Sequence, residues 1–126
     1  MGKFVVKQAK SGYRFNLVAG NGEIIATSQT YAGKIFCLEG VESVRKNAPH
    51  AALEDQTVDG YLEQKHPKFE IYQDKAGEFR FRLKARNGEI VAVSEGYKAK
   101  ASCKNGIESV RRNAPDAGVM AGAEGE

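Results

Sequence analysis

The sequence predicts an α+β fold made of two tandem β3-α-β repeats. One string, Asn-Gly-Glu-Ile, begins at Asn21 and recurs at Asn87, and a Tyr, a Cys and an Asn-Ala-Pro ending follow it at matching distances in both copies. In each copy the apolar period is that of strands before the string and that of a helix after it. We therefore expect one antiparallel sheet with pseudo-two-fold symmetry and two helices packed on one of its faces.

The two repeats should form a single domain. One repeat of about 47 residues is too small to bury a core of its own, whereas two repeats in one chain can share a core. We place repeat 1 at 3–58, a connector at 59–67, repeat 2 at 68–120 and a flexible tail at 121–126. The internal symmetry indicates a monomer.

Three strands open each repeat. A β-rich run begins at Lys3, and Tyr13, Phe15 and Leu17 then alternate with residues of the opposite face, so these three side chains should point into the core. The dipeptide Asn21-Gly22 predicts a type I′ hairpin turn into the third strand. The inward residues of the second repeat are Phe79, Phe81, Leu83 and Ala85.

A helix should follow the strands in each repeat, over roughly residues 33–47 and 99–113. The Asn-Ala-Pro ending is typical of a helix terminus, because Pro cannot continue the helix. Neither Gly33 nor Ala99 offers a side chain that could cap the start. The apolar stripes are Cys37, Val41, Val44 and Ala48 in the first helix and Cys103, Ile107, Val110 and Ala114 in the second.

Charge is distributed unevenly along the chain. The net charge is +3, but the repeats carry +4 (residues 3–47) and +5 (68–113), whereas 48–67 and 114–126 carry −3 each. No apolar run is long enough to cross a membrane, and the chain does not begin with a secretory signal. We therefore expect a cytoplasmic protein with two basic repeats.

The repeated motifs resemble those of the YegP-like family of small bacterial proteins. They read Asn-Gly-Glu-Ile-[Ile/Val]-Ala-x-Ser, then a Tyr, a Lys at the helix start and Gly-[Ile/Val]-Glu-Ser-Val-Arg-x-Asn-Ala, within residues 3–49 and 68–120. The resemblance implies a single sheet in which the last short strands, near 51–58 and 117–120, are exchanged between the halves. It also implies dimers of the same shape for relatives with one repeat, but no activity and no catalytic residue.

The first helix departs from the second at three positions of its outer face. These differences predict a more apolar surface there, covered by the connector. They are Gly33, Phe36 and Leu38 in place of Ala99, Ser102 and Lys104.

No catalytic pattern is visible in the sequence. Cys37 and Cys103 lie on apolar stripes with no neighbouring His, so we expect reduced, buried thiols rather than nucleophiles or a disulfide. His50 and His66 lack the spacing of metal ligands. We therefore expect no metal, no cofactor and no enzyme activity.

A basic strand face is the most specific candidate site. Arg80, Arg82, Lys84 and Arg86 alternate with the inward residues, and Tyr72 lies on the neighbouring strand. An open sheet face with cations and an aromatic ring suits RNA or single-stranded DNA, and a face that only keeps the protein soluble is the alternative. The predicted function is a non-catalytic binding module, either of weak nucleic-acid binding or of protein–protein interaction with no nucleic-acid role.

The helix starts offer a second candidate site. Lys34 and Lys100 lie there, although the helix dipole disfavours a cation at that end. An anion held jointly by the Lys and the helix amides would explain this position. A solvated Lys without a role is the alternative.

Overall fold

The computed structural model describes residues 2–122, and each repeat contributes four strands and one helix. The remaining tail residues, 123–126, lie outside the described residues. Repeat 1 contains β1 (Lys3–Ala9), β2 (Gly12–Val18), β3 (Ile24–Thr27), α1 (Lys34–Asn47), a 3-10 turn (Ala48–His50) and β4 (Ala52–Asp55). Repeat 2 contains β5 (Lys68–Gln73), β6 (Phe79–Lys84), β7 (Ile90–Val93), α2 (Lys100–Asn113) and β8 (Gly118–Ala121).

All eight strands form one sheet, in the order β4-β5-β6-β7-β3-β2-β1-β8. The repeats meet at its centre, where Thr27 of β3 pairs with Val93 of β7. Each last strand leaves its own repeat, so that β4 pairs with β5 and β8 pairs with β1. The predicted α+β fold and the exchange of the last strands are therefore confirmed. Ala121, predicted as tail, belongs to β8.

The sheet is mixed, and the prediction of a wholly antiparallel sheet is wrong at its two edges. The outer pairs β4–β5 and β1–β8 are parallel, whereas the inner pairs are antiparallel. The end of α1 lies beside Ala85 and Asn87 of the other repeat. The helix thus delivers β4 to the beginning of β5, where Ala52 pairs with Lys68, and both strands run in the same direction.

One core lies between the sheet and both helices. Phe4 packs edge-to-face on Phe15, and Phe69 packs in the same way on Phe81, with ring centroids 5.7 and 5.8 Å apart. The predicted helix stripes cover these rings, and both cysteines are buried and free. As predicted, neither helix start has a side-chain cap.

The repeated motif residues serve the architecture. Ser94 accepts a hydrogen bond from the backbone N–H of Phe81 and donates one to the carbonyl of Glu95, at 2.9 and 2.8 Å, and Ser28 does the same in repeat 1. Gly106 makes room for a tyrosine, because a Cβ there would lie 2.5 Å from the hydroxyl oxygen of Tyr97. Since both repeats share these features, residues that differ between the repeats are the better guide to function.

The Asn-Gly turns differ from the predicted type. Gly22 has φ of +90° and Gly88 has φ of +85°, but no residue other than Gly has positive φ within the described chain, which excludes type I′. Instead Gly22 N–H donates to the carbonyl of Ala19, and Asn21 Oδ1 accepts from the N–H of Glu23. This is a three-residue loop that ends in a left-handed Gly.

The outer face of α1 is exposed, and the prediction that the connector covers it is wrong. Ile35 and Phe36 are 71% and 57% exposed. The connector instead contacts the opposite side of the sheet, where the backbone N–H of Gln64 donates to the carboxylate of Glu54.

Candidate functional site

Two residues of the predicted basic stripe bind one buried carboxylate. Arg82 Nε lies 2.6 Å and Lys84 Nζ 3.3 Å from oxygens of Glu70, whose side chain is 2% exposed. The Arg82 guanidinium also lies over the ring of Tyr72, 4.4 Å from its centroid. The structure brings Tyr72, Arg82 and Lys84 together as the sequence predicts, but their charges and ring face are already engaged within the protein.

The other two arginines of the stripe lie in different settings. Arg80 donates to Asp74 at 2.7 Å and to the carbonyl of Ser94 at 3.2 Å. Arg86 is not on the strand, because β6 ends at Lys84, where its pairing with β7 shifts register. Arg86 is exposed in the following turn and borders a groove beside α1. The structure therefore places Arg86 beyond the end of the strand and beside α1, apart from Arg80, Arg82 and Lys84.

A buried charge cluster of Glu54, Lys68 and Glu70 lies beside this stripe and was not predicted from the sequence. Lys68 Nζ is 2.8 Å from Glu54 and 3.2 Å from Glu70, and the three side chains are 1–3% exposed. Gln56 Nε2 and the backbone N–H of Gln64 each donate to Glu54 at 2.6 Å. The segment that follows β4 therefore closes one end of the cluster.

The cluster is a fixed ionic network. Burial would raise the pKa of Glu54, but hydrogen bonds from Lys68, Gln56 and the Gln64 N–H lower it to about 2. Burial also opposes the ionised form of Glu70, yet bonds from Arg82, Lys68 and Lys84 lower its pKa. The pKa of Lys68 is raised by its two carboxylates despite burial. All three groups are consequently charged at neutral pH.

The first repeat has different residues at the positions of this cluster. The registers of β1 with β2 and β8 match those of β5 with β6 and β4, and this match defines equivalent positions. The first repeat has a Lys at the position of the cation, but apolar residues at the positions of both carboxylates. Lys3 stands in place of Lys68, Val5 in place of Glu70 and Met120 in place of Glu54.

These replacements leave a cleft of about 460 Å³ on the sheet face opposite the helices. Ile24 at its border is 43% exposed, and Met120 beside Val5 is 51% exposed. An apolar floor thus lies between two lysines. We call this surface the open face, and its main residues are Lys3, Val5, Lys7, Asn16, Val18 and Ile24.

The two predicted anion sites are not equivalent. Lys100 Nζ lies 2.9 Å from Asp55. Burial would raise the pKa of Asp55, but bonds from Thr57 and Lys100 lower it, so the pair is ionic. Lys34 makes no ion pair within residues 2–122, and Ala121 occupies the position of Asp55. A cleft of about 370 Å³ lies beside Lys34.

The two cysteines and the two histidines do not form a common site within residues 2–122. Burial raises the pKa of both thiols, that of Cys103 to about 11 with a smaller contribution from the charge of Asp55. His50 and His66 are exposed. Among the residues that the structure describes, no group of three His, Cys, Asp or Glu could hold a metal ion. In the same part of the chain, neither helix has the length and apolar character that crossing a membrane requires.

Known proteins with similar sequences match either most of this chain or one of its repeats. A UPF0339 protein of Pseudomonas aeruginosa is 42% identical over 118 residues, which are 93% of this chain and 94% of that protein. The UPF0339 protein YegP of Yersinia pestis is 37% identical over 114 residues, which are 90% of this chain and 88% of that protein. A Treponema denticola relative is 68% identical over 53 residues, 42% of this chain and 91% of its own length, and therefore corresponds to one repeat.

A comparison with solved structures supports the same relationship over the whole chain. The solution NMR structure of the Escherichia coli protein of unknown function YegP matches with a TM-score of 0.78 and 32% identity, over 99% of this chain and 95% of that chain. The family model described as a domain of unknown function, DUF1508, matches at residues 9–55 and again at 74–120. The chain therefore belongs to the UPF0339 family and carries its DUF1508 domain twice.

Proposed function

We propose that this protein is a cytoplasmic, non-catalytic binding module that holds an acidic, extended segment of a protein partner on the open face. The observation that carries the proposal is the loss of carboxylates at equivalent positions. Lys68 is held by Glu54 and Glu70, whereas its counterpart Lys3 has Met120 and Val5 as neighbours. A partner that supplies carboxylates would give Lys3 the ionic contacts that Lys68 has with Glu54 and Glu70 in the second repeat.

The spacing of a cation and an apolar residue on the open face defines the partner's chemistry. Lys3 and Val5 point to the same side of β1, and two residues of a strand span about 7 Å. An extended segment with an acidic residue and an aliphatic residue two positions apart has the same spacing. Charge complementarity and burial of Val5 and Ile24 would then act together.

A polypeptide fits this surface better than a nucleic acid. Proteins bind single-stranded nucleic acids by stacking bases on aromatic side chains, and the open-face residues include no aromatic ring. The ring of Tyr72 is covered by Arg82, and the cations of Arg80, Arg82 and Lys84 lie within 2.6–3.3 Å of carboxylates. RNA or single-stranded DNA binding by this stripe stays a prediction, and it is the competing outcome of the test.

The test is fluorescence anisotropy with a labelled ten-residue peptide, Glu-Thr-Val-Thr-Glu written twice. We expect saturable binding that weakens as salt rises, because exposed charges are screened. The same peptide with Lys in place of Glu should not bind. The double variant Val5→Glu/Met120→Glu supplies the carboxylates within the chain and should weaken binding by about tenfold or more.

Two controls separate the alternatives. Val119→Glu adds a carboxylate on the other side of β8, since Val119 pairs with the core residue Phe4, and should leave peptide affinity within about twofold. A labelled single-stranded RNA is titrated in parallel. Binding of the RNA without the peptide, or peptide binding unaffected by Val5→Glu/Met120→Glu, would overturn the proposal.

A further inference from the structure

We propose that the cleft beside Lys34 binds a carboxylate that carries a short aliphatic chain. This cleft, the Lys34 pocket, has a volume of about 370 Å³ and lies on the helix side of the sheet. Its lining shares no residue with the cleft of the open face, although Met120 lines this pocket and also pairs with Val5, and the inference does not depend on the function proposed above. Its main lining residues are Val6, Gln8, Tyr13, Lys34, Leu38 and Val119, with Ala121 at the edge strand.

The second repeat contains a filled version of this site. Lys100 Nζ lies 2.9 Å from Asp55 Oδ2 and 5.9 Å from the centre of the Phe79 ring. Asp55 is presented by β4, where it pairs with Ile71. The position at the start of the helix is therefore one at which a Lys that lies over an aromatic ring holds a carboxylate.

The first repeat keeps the cation and the ring but lacks the carboxylate. Ala121 pairs with Val6 in β8 as Asp55 pairs with Ile71 in β4, so Ala121 stands where the carboxylate would be. Tyr13 takes the place of Phe79, because each forms the same bridge to the tyrosine before its helix. Within residues 2–122 Lys34 makes no ion pair. The pocket therefore has space for a ligand and a cation to bind it, while Ala121 stands where the second repeat has the carboxylate of Asp55.

The walls of the pocket indicate the rest of the ligand. Leu38 occupies the position that Lys104 has in the second repeat, so a second cation is replaced by an apolar side chain. Val119 is 42% exposed beside it. A volume of this size is at the small end of ligand pockets. One carboxylate for Lys34 and a few methylene groups against Leu38 and Val119 match these walls better than a compact, multiply charged anion does.

The test is a titration of the full-length protein with hexanoate, followed through backbone amide chemical shifts by NMR. We expect saturable shifts around Lys34, Leu38 and Val119, with a Kd of roughly 1 mM for so small a ligand. Acetate keeps the carboxylate without the chain, and hexan-1-ol keeps the chain without the charge. Each should bind about tenfold or more weakly than hexanoate.

Three variants locate the site. Ala121→Asp supplies the carboxylate within the chain, and Lys34→Gln removes the cation, so each should weaken hexanoate binding by about tenfold or more. Lys100→Gln is the matched control, because Lys100 is already bound to Asp55. It should leave the affinity within about twofold. Thermal unfolding of each variant verifies that it is folded.

The tail supplies other carboxylates, Glu124 and Glu126, which lie outside the described residues. The variant Glu124→Gln/Glu126→Gln is therefore titrated beside the natural sequence. The inference is overturned if hexanoate binds neither of these two proteins. It is also overturned if hexan-1-ol binds with the same affinity as hexanoate. Unchanged affinity in Lys34→Gln and Ala121→Asp would also overturn it. Val5→Glu alone, at a residue that does not line the Lys34 pocket, should not affect hexanoate binding, which keeps this result separable from the test of the open face.

Discussion

Lys68 Nζ lies 2.8 Å from Glu54 Oε1, and the two side chains are 3% and 1% exposed. Lys68→Met would leave Glu54 and Glu70 facing each other in a buried site without their shared cation. Removing one partner of a buried ion pair costs about 3–5 kcal/mol in the free energy of unfolding. We expect a loss of this size in urea unfolding.

Lys3→Met is the matched control for that experiment. Lys3 occupies the equivalent place in β1, but it is exposed and its neighbours there are Val5 and Met120. Its free energy of unfolding should change by less than about 0.5 kcal/mol. Equal losses in both variants would mean that the buried charge cluster is not the source of the stability.

The same cluster should govern acid stability. The pKa of Glu54 is lowered to about 2, whereas an unfolded glutamate titrates near its ordinary value of 4.5. A lowered native pKa contributes stability that is present above the unfolded pKa and is lost as pH falls through the native one. We expect the contribution of Glu54 to the free energy of unfolding to decline from about pH 4.5 towards pH 2. Urea unfolding at a series of pH values measures it.

Lys68→Met should move that decline to higher pH. The variant removes a hydrogen bond and a positive charge that lower the Glu54 pKa, while burial still raises it. A pH profile parallel to that of the natural sequence would contradict this assignment of the acid dependence.

The sequence predicted the elements of the fold because local signals agree in both copies. Alternation in β2 and β6, the apolar helix stripes and the Asn-Ala-Pro endings each depend on near neighbours. The parallel edges could not be derived in that way, because the direction of β4 depends on where α1 delivers the chain. The resemblance supplied the strand exchange, but not the direction of those strands.

The candidate site was predicted only in part, and Glu70 explains why. It lies between Phe69 and Ile71, and alternation alone assigns it to a solvated face. Its burial depends on Lys68, two residues before it on the same strand, and on Glu54 and Arg82, which lie on the neighbouring strands β4 and β6. A row of Arg and Lys beside a strand that also carries Glu and Lys could have suggested pairing across strands. Which pairs form is a matter of register between strands.

Arg82→Glu should destabilise the protein rather than only change its surface. Arg82 Nε lies 2.6 Å from the buried carboxylate of Glu70, so the variant places a second negative charge beside it. We expect a loss of roughly 2–3 kcal/mol in urea unfolding, the value of a hydrogen bond to a charged group plus repulsion. Arg14→Glu, at an exposed position of β2, is the control and should stay within about 0.5 kcal/mol. A fully stable Arg82→Glu protein would show that the pair with Glu70 is dispensable.

Gly106→Ala should destabilise the protein although Ala favours helices. The added Cβ would lie 2.5 Å from Tyr97 Oη and 3.1 Å from the Phe81 ring. Overpacking costs about 1–3 kcal/mol, which exceeds the gain of up to about 1 kcal/mol in helix propensity. Thermal unfolding measures the net loss.

Tyr97→Phe provides the compensating change for Gly106→Ala. It removes the hydroxyl that the new Cβ would meet first, so the double variant should lose less stability than the two single losses predict. Gly118→Ala, where a Cβ meets no atom within 4 Å, is the control. Additive losses would show that the close contact between helix and tyrosine does not explain the glycine.

The second repeat alone, residues 59–126, should fold only as a dimer. Its last strand β8 pairs with β1 of the other repeat, and its first strand β5 pairs with β4. An isolated copy therefore leaves β5, β7 and β8 without the neighbouring strands that repeat 1 supplies, and half of a shared core without a partner. A second copy can supply these partners, because β8 of one copy can pair with β5 of the other as β4 does now. Circular dichroism and sedimentation should show unfolded monomers at low concentration and folded dimers at high concentration, with a midpoint of unfolding that rises with concentration.

A relative that corresponds to a single repeat exists, which agrees with this expectation. Cooperative unfolding of a monomer, independent of concentration, would contradict the conclusion that the exchanged strands hold the two repeats together.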